Sequence, residues 1–174
     1  MRHLIAAAFM LIAMPALAEV RSSSDNSFEI EQQMKVRVPA PALLGAFGRV
    51  EEWWSGEHSY SGNAANLSLT MVPGGCFCER LENGGGVEHL RVAHVEPGRQ
   101  LVLTGALGPL LGEAVNGVML VKVEPSPGGS RLTLSYRASG FARGGADKFA
   151  PIVDRVLAEQ LGRLRAYMES GKRP

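Results

Sequence analysis

From Phe28 the chain alternates. Phe28, Ile30, Met34, Val36 and Val38 fall on one side and Glu29, Glu31, Gln33, Lys35 and Arg37 on the other, which predicts a strand with one buried and one wet face. Pro39-Ala40-Pro41 ends it. Leu43, Leu44, Phe47, Val50 and Trp54 then recur at helical spacing, predicting one or two short helices interrupted near Gly48. Six short apolar runs follow: 67–72, 76–81, 87–95, 101–105, 115–123 and 131–137. Their separators are Pro- and Gly-rich, as in Pro73-Gly74-Gly75 and Asn83-Gly84-Gly85-Gly86, and spacers this short imply antiparallel neighbours. The chain closes on a long amphipathic helix. Phe149, Val153, Val156, Leu157, Leu161, Leu164 and Met168 form its apolar stripe, Asp147 stands where a cap belongs, and Pro151 is tolerable only in a first turn.

One strand, a short helical segment, about six antiparallel strands and a terminal helix predict an α+β domain. A sheet curved around the helix buries both apolar faces. This order, with the stretches WWSGEHSYSGNAANLSL, PGGCFCERL, GGGVEHLRVAHVEPGRQLVLTGALGPL and AVNGVMLVKVEP, resembles the SRPBCC family of the START/Bet v1-like superfamily, in its polyketide cyclase/dehydrase-like branch. The resemblance runs over roughly residues 28–168. It implies a helix-grip fold, with a curved antiparallel sheet of about seven strands around the C-terminal helix and a ligand cavity between them. Function is less constrained, because the superfamily includes lipid carriers, ring cyclases and co-chaperone activators.

The N-terminus changes the picture of where the protein works. Met1-Arg2-His3, an apolar run from Leu4 to Met14 and the small residues Ala16-Leu17-Ala18 read as a secretory signal with cleavage after Ala18. The run is short for a bilayer span and no second one follows, so a periplasmic or secreted product with no stable membrane anchor is expected. Residues 19–27 are polar and read as a flexible arm, and 28–170 as a single domain. The full chain carries 18 basic and 17 acidic residues. The leader removes only Arg2, leaving 17 of each, and without a basic cluster no nucleic-acid partner is expected. The oligomeric state is not legible.

Two cysteines, Cys76 and Cys78, are the only ones in the chain. On a fully extended strand their Cα atoms would lie about 6.6 to 6.8 Å apart, beyond the usual disulfide span of roughly 5.5 to 6 Å, so free, buried thiols are expected. The alternatives are a metal or redox site and a strained or intermolecular disulfide. In the hairpin that follows, pairing Leu81 with Val87 sets Glu79 opposite His89 and Arg80 opposite Glu88. That register puts Cys76 and Cys78 with Leu90 and Val92 on a core face, and Phe77, Glu79, Leu81, Val87, His89 and Arg91 on the other. The second face is either a solvent surface or a cavity wall where Arg91 and His89 hold an anionic group and Glu79 fixes the His tautomer.

Trp53 and Trp54 precede His58 and Tyr60. At least one Trp is expected to close the core under the helical segment; the alternative is a stacking wall for a planar or sterol-like ligand, with His58 or Tyr60 supplying a hydrogen bond. Residues 105–113, GALGPLLGE, form either a lid at the cavity mouth or a turn tucked under the helix. The expected ligand-binding residues are Trp54, His58, Tyr60, Phe77, Glu79, His89, Arg91 and Leu110. No nucleophile elbow, phosphate loop or zinc motif is present, and no cofactor or metal site is expected. The first expectation is an exported protein that binds a small hydrophobic or amphipathic molecule. The second is a cyclase, dehydratase or isomerase acting on a polyketide-like or aromatic substrate, with His89 or His58 as acid/base and Arg91 stabilising an oxyanion. The third is an envelope interaction protein using the groove or lid.

Overall fold

A computed structural model describes residues 18–174. The leader lies outside them except for Ala18. Strands β1 (Ala18–Ser24) and β2 (Ser27–Val36) precede helices α1 (Ala40–Phe47) and α2 (Val50–Trp53). Strands β3 (Leu67–Leu69), β4 (Cys76–Arg80), β5 (Gly86–Glu96), β6 (Gln100–Gly105), β7 (Ala114–Ser126) and β8 (Gly129–Phe141) follow, and helix α3 (Ala150–Ser170) ends the chain. The eight strands form one curved antiparallel sheet in the order β1-β2-β8-β7-β6-β5-β4-β3. With α3 packed against β2 and β1, the architecture is α+β and consistent with a helix grip.

The extra strand corrects the expected count of seven. Residues 19–27 do not form a loose arm: β1 pairs along β2, from Ala18 opposite Gln32 to Ser24 opposite Ser27. Its serines lack the apolar alternation that marks a strand, so pairing rests on the ladder and the Asp25-Asn26 turn. The Ser24 hydroxyl braces that turn against the Asn26 and Ser27 side chains.

Alternation explains the rest. Ile30 and Met34 of β2, Leu132, Leu134 and Tyr136 of β8, Val121 and Val123 of β7, and Leu101 and Leu103 of β6 all point inward and are buried. From α3, Val153, Leu157, Leu161 and Leu164 meet them, each aliphatic chain contributing roughly 1.5 to 3 kcal/mol when fully buried. Gly117 interrupts the inward row of β7 for a steric reason. A Cβ there would come within 2.7 Å of the Tyr136 ring. Asp147 does not cap α3. Its carboxylate binds Lys148 at 2.8 Å, and the helix starts after Phe149 with Pro151 in the first turn, where a missing N–H costs nothing.

Candidate functional site

The β4–β5 hairpin positions the site through a bulge. Phe77 lies opposite Leu90 and Cys78 opposite Glu88, which leaves His89 as the extra residue, so His89 and Leu90 both turn inward and are buried. This corrects the unbulged register: Glu79 pairs with Val87 and Arg80 with Gly86. The tight turn closes one step earlier than expected, with Leu81 donating to the Gly85 carbonyl and Asn83 and Gly84 both at positive φ.

Three expectations change with it. Phe77 and Glu79, rather than the cysteines, face the core beside Leu90 and Val92. Cys76 and Cys78 are half-buried and joined by a disulfide, with S–S 2.03 Å and a Cα–Cα span of 5.4 Å, shorter than the fully extended strand the expectation assumed. Arg91 falls on the outside. Its guanidinium pairs with Glu88 and donates to the Gly74 carbonyl at 2.9 Å, remote from any anion-holding role in a cavity.

On the core side, Glu79 is 2 % exposed and His89 5 %. The Glu79 carboxylate accepts the Tyr60 N–H at 3.0 Å, the Ser61 N–H at 2.5 Å and His89 Nε2 at 3.0 Å. Burial alone would raise this carboxyl, but the hydrogen bonds from Ser61, Tyr60 and His89 outweigh it and hold Glu79 below the usual carboxylate range. Burial also pushes the His89 imidazole below its ordinary value, only partly offset by Glu79. The pair therefore stands as a carboxylate beside a neutral ring. With Nε2 donating to the carboxylate, Nδ1 carries the lone pair.

The segment after α2 supplies the opposite wall. Trp53 is the core tryptophan, its indole donating to the Ala46 carbonyl, while Trp54 donates to the His58 carbonyl at 2.9 Å and turns its ring toward Phe77, 5.2 Å between centroids. Phe77 lies 4.8 Å from the His89 ring and Tyr60 5.8 Å from it. Between these residues, the 105–112 loop and α3 lies a half-open cleft of about 320 Å³. Trp54, Glu57, His58, Ser59, Tyr60 and His89 form one side of it, Leu107, Gly108 and Pro109 the loop side, and Ile152, Val153 and Val156 the helix side. A second, small apolar void of about 20 Å³ is lined by Trp54, Phe77 and Gln160 among others.

Of the expected residues, Trp54, His58, Tyr60 and His89 line the cleft, Glu79 braces His89 from behind, and Phe77 stands on the wall of the second void. Leu110 does not reach the cleft: it is fully buried and anchors the loop, leaving Gly108 and Pro109 at the mouth. The loop is thus both rim and tucked turn, held by Tyr136, whose hydroxyl donates to the Gly105 carbonyl at 3.0 Å and accepts the Leu107 N–H at 3.1 Å. Burial pushes the Tyr136 phenol up to about 12. At the rim His58 Nε2 meets Glu159 at 2.9 Å, and Tyr60 Oη donates to the Gly108 carbonyl at 3.0 Å. Sequence reasoning missed Ile152 as a lining residue, because it stands off the α3 core stripe and is exposed.

No family model and no curated protein matches the chain. Solved structures do. A Rhizobium leguminosarum protein superposes with a TM-score of 0.59 at 17 % identity, over 90 % of this chain and 99 % of its own. CalU16 from Micromonospora echinospora matches with a TM-score of 0.60 at 11 % identity, covering 91 % of this chain and 88 % of that one. DynU16, from the dynemicin biosynthetic locus, matches with a TM-score of 0.59 at 19 % identity, over 83 % of this chain and 48 % of its own. The likeness is one of fold. At these identities shared site residues do not follow from it, and the chemistry of the cleft rests on its own side chains.

Proposed function

We propose that this chain is an exported helix-grip protein of the SRPBCC kind that binds a small, largely apolar molecule in the cleft between the 105–112 loop, the Trp54–Tyr60 segment and α3. The observation that carries the reading is an apolar, half-open cleft with one buried polar ring, His89, in its lining, braced from behind by Glu79, the pattern of a small-molecule site. The presence of CalU16 and DynU16 among its structural neighbours supports a ligand-holding fold. The leader 1–18 supports export to the periplasm or beyond, and N-terminal sequencing of the mature protein should begin at Glu19.

Two measurements test binding. Native mass spectrometry of protein purified from its own envelope should retain a small-molecule adduct, and the delipidated protein should bind the neutral dye Nile red. Val156→Trp, which fills the cleft from α3, should abolish both. A protein that carries no adduct and leaves the dye unbound contradicts the reading.

An enzymatic reading keeps one supporting feature, the His89 lone pair backed by a carboxylate, which suits a general base. It has lost Arg91, which was expected to stabilise an oxyanion. If it holds, the protein accelerates deuterium uptake into an enolisable bicyclic ketone and His89→Phe removes the acceleration; equal rates in both proteins dismiss it.

A further inference from the structure

The cleft is rich in acceptors and poor in donors, and this determines the chemistry of its occupant. Five lining residues carry side-chain donors, and each donor is already engaged by the protein. Trp54 Nε1 donates to the His58 carbonyl, Ser59 Oγ to the Gly56 carbonyl, and Tyr60 Oη to the Gly108 carbonyl. The two ring nitrogens His58 Nε2 and His89 Nε2 face Glu159 and Glu79. Among the described residues no Lys or Arg lines the cleft, and the expected cation, Arg91, is occupied by Glu88 on the outer surface.

Acceptors remain open. The Glu79 carboxylate takes three donors, which fixes Nε2 as the protonated nitrogen of His89 and leaves Nδ1 as the acceptor on a ring that lines the cleft. The carboxylates of Glu57 and Glu159 stand at the rim. An acceptor that a bound ligand covers without matching costs more than a matched one gains, so the site discriminates by what a ligand donates.

We infer that the cleft selects a neutral or cationic molecule that presents a hydroxyl or amine donor to His89 Nδ1, and rejects carboxylates and phosphates. This rests on the proposed reading of the cleft as a binding site and adds the ligand class to it. An anion entering here finds no positive partner and meets Glu57 and Glu159 at the mouth. An ether or ketone finds no side-chain donor.

The test is calorimetric titration of the mature protein, in mildly alkaline buffer where imidazoles are neutral, with four probes of one ring system: naphthol, methoxynaphthalene, naphthoate and naphthylmethylammonium. Naphthol should bind about tenfold more tightly than methoxynaphthalene, the difference one matched hydrogen bond makes. Naphthoate should be the weakest, and the ammonium at least as tight as naphthol. In His89→Phe the naphthol to methoxynaphthalene ratio should fall to near one. Should that variant fail to fold, nitrogen NMR of ¹⁵N-histidine-labelled wild type gives the same answer: His89 Nδ1 should be unprotonated and shift on adding naphthol. Methoxynaphthalene matching naphthol, naphthoate binding tightest, or a protonated Nδ1 overturns the inference while leaving a binding protein. If all four probes fail, the binding reading falls and the ligand class with it.

Discussion

Replacing Glu79 with alanine removes the acceptor of three donors at once. The Tyr60 and Ser61 N–H groups and His89 Nε2 converge on a carboxylate that is 2 % exposed, so each would face an apolar void. A buried donor left unmatched costs roughly 1 to 3 kcal/mol. Simple addition overstates the loss, since water can enter from the adjoining cleft, and a net cost near the lower end of that sum, about 3 kcal/mol, is expected. For a domain of this size each kcal/mol moves the melting temperature by about 2 to 4 °C, so a fall of roughly 10 °C is expected. The control is Glu88→Ala on the neighbouring strand, whose ion pair with Arg91 is exposed at 44 % and 54 % and should contribute about 0 to 1 kcal/mol. Urea unfolding of both variants, read as midpoint and slope, separates stability from compactness. Equal losses in the two variants would refute the claim that Glu79 organises the lining of the cleft.

Stability should also fall on acidification in two stages. His89 and Glu79 are both held below their ordinary values, so the unfolded chain binds more protons. The His89 contribution is present above about pH 6.5 and lost as pH drops toward its folded value, and that of Glu79 goes next, below about 4.3. The urea midpoint between roughly pH 7 and 5 should decline in wild type and flatten in His89→Phe; a flat wild-type profile contradicts burial outweighing the Glu79 contact at His89. Thiol titration of unfolded protein should find no reactive cysteine until a dithiol reductant is added, and thiols without reduction would contradict the Cys76–Cys78 bond. Tyr136→Phe removes the hydroxyl between Gly105 and Leu107 and should cost about 1 to 2 kcal/mol. Amide exchange should quicken at Leu107, and unchanged protection there would show that the loop is held by Leu110 alone.

The architecture was legible wherever one face of an element is buried. The alternation of β2, the stripe on α3 and the Gly48 break each follow from burial, which the sequence records as spacing. Strand β1 was hidden because its serines are held by backbone pairing, which leaves no side-chain pattern. The hairpin shows the opposite failure. Charge complementarity selected a regular ladder in which Glu79 faces His89. The two side chains do meet, but across a bulge that pairs Glu79 with Val87 and turns Arg91 outward. A bulge of one residue has no signature in alternation except its consequence, two successive inward residues, here His89 and Leu90. The disulfide escaped for a related reason, since the distance argument assumed full extension where the two Cα atoms lie 5.4 Å apart. Trp54, His58 and Tyr60 reached the cleft as expected because they follow a short helix that must close over the core.

The proposed binding of a small, largely apolar molecule centres on the cleft lined by Trp54, His89, Gly108 and Val153. The most direct measurement is an NMR titration of isotope-labelled mature protein with naphthol, following the backbone amides and the Trp54 indole. Saturable shifts concentrated at Trp54, Tyr60, His89, Gly108 and Val153, with the outer strands around Ser22 and Arg137 undisturbed, are the expected result. Shifts that gather on that outer face, or none at saturating probe, would contradict the account.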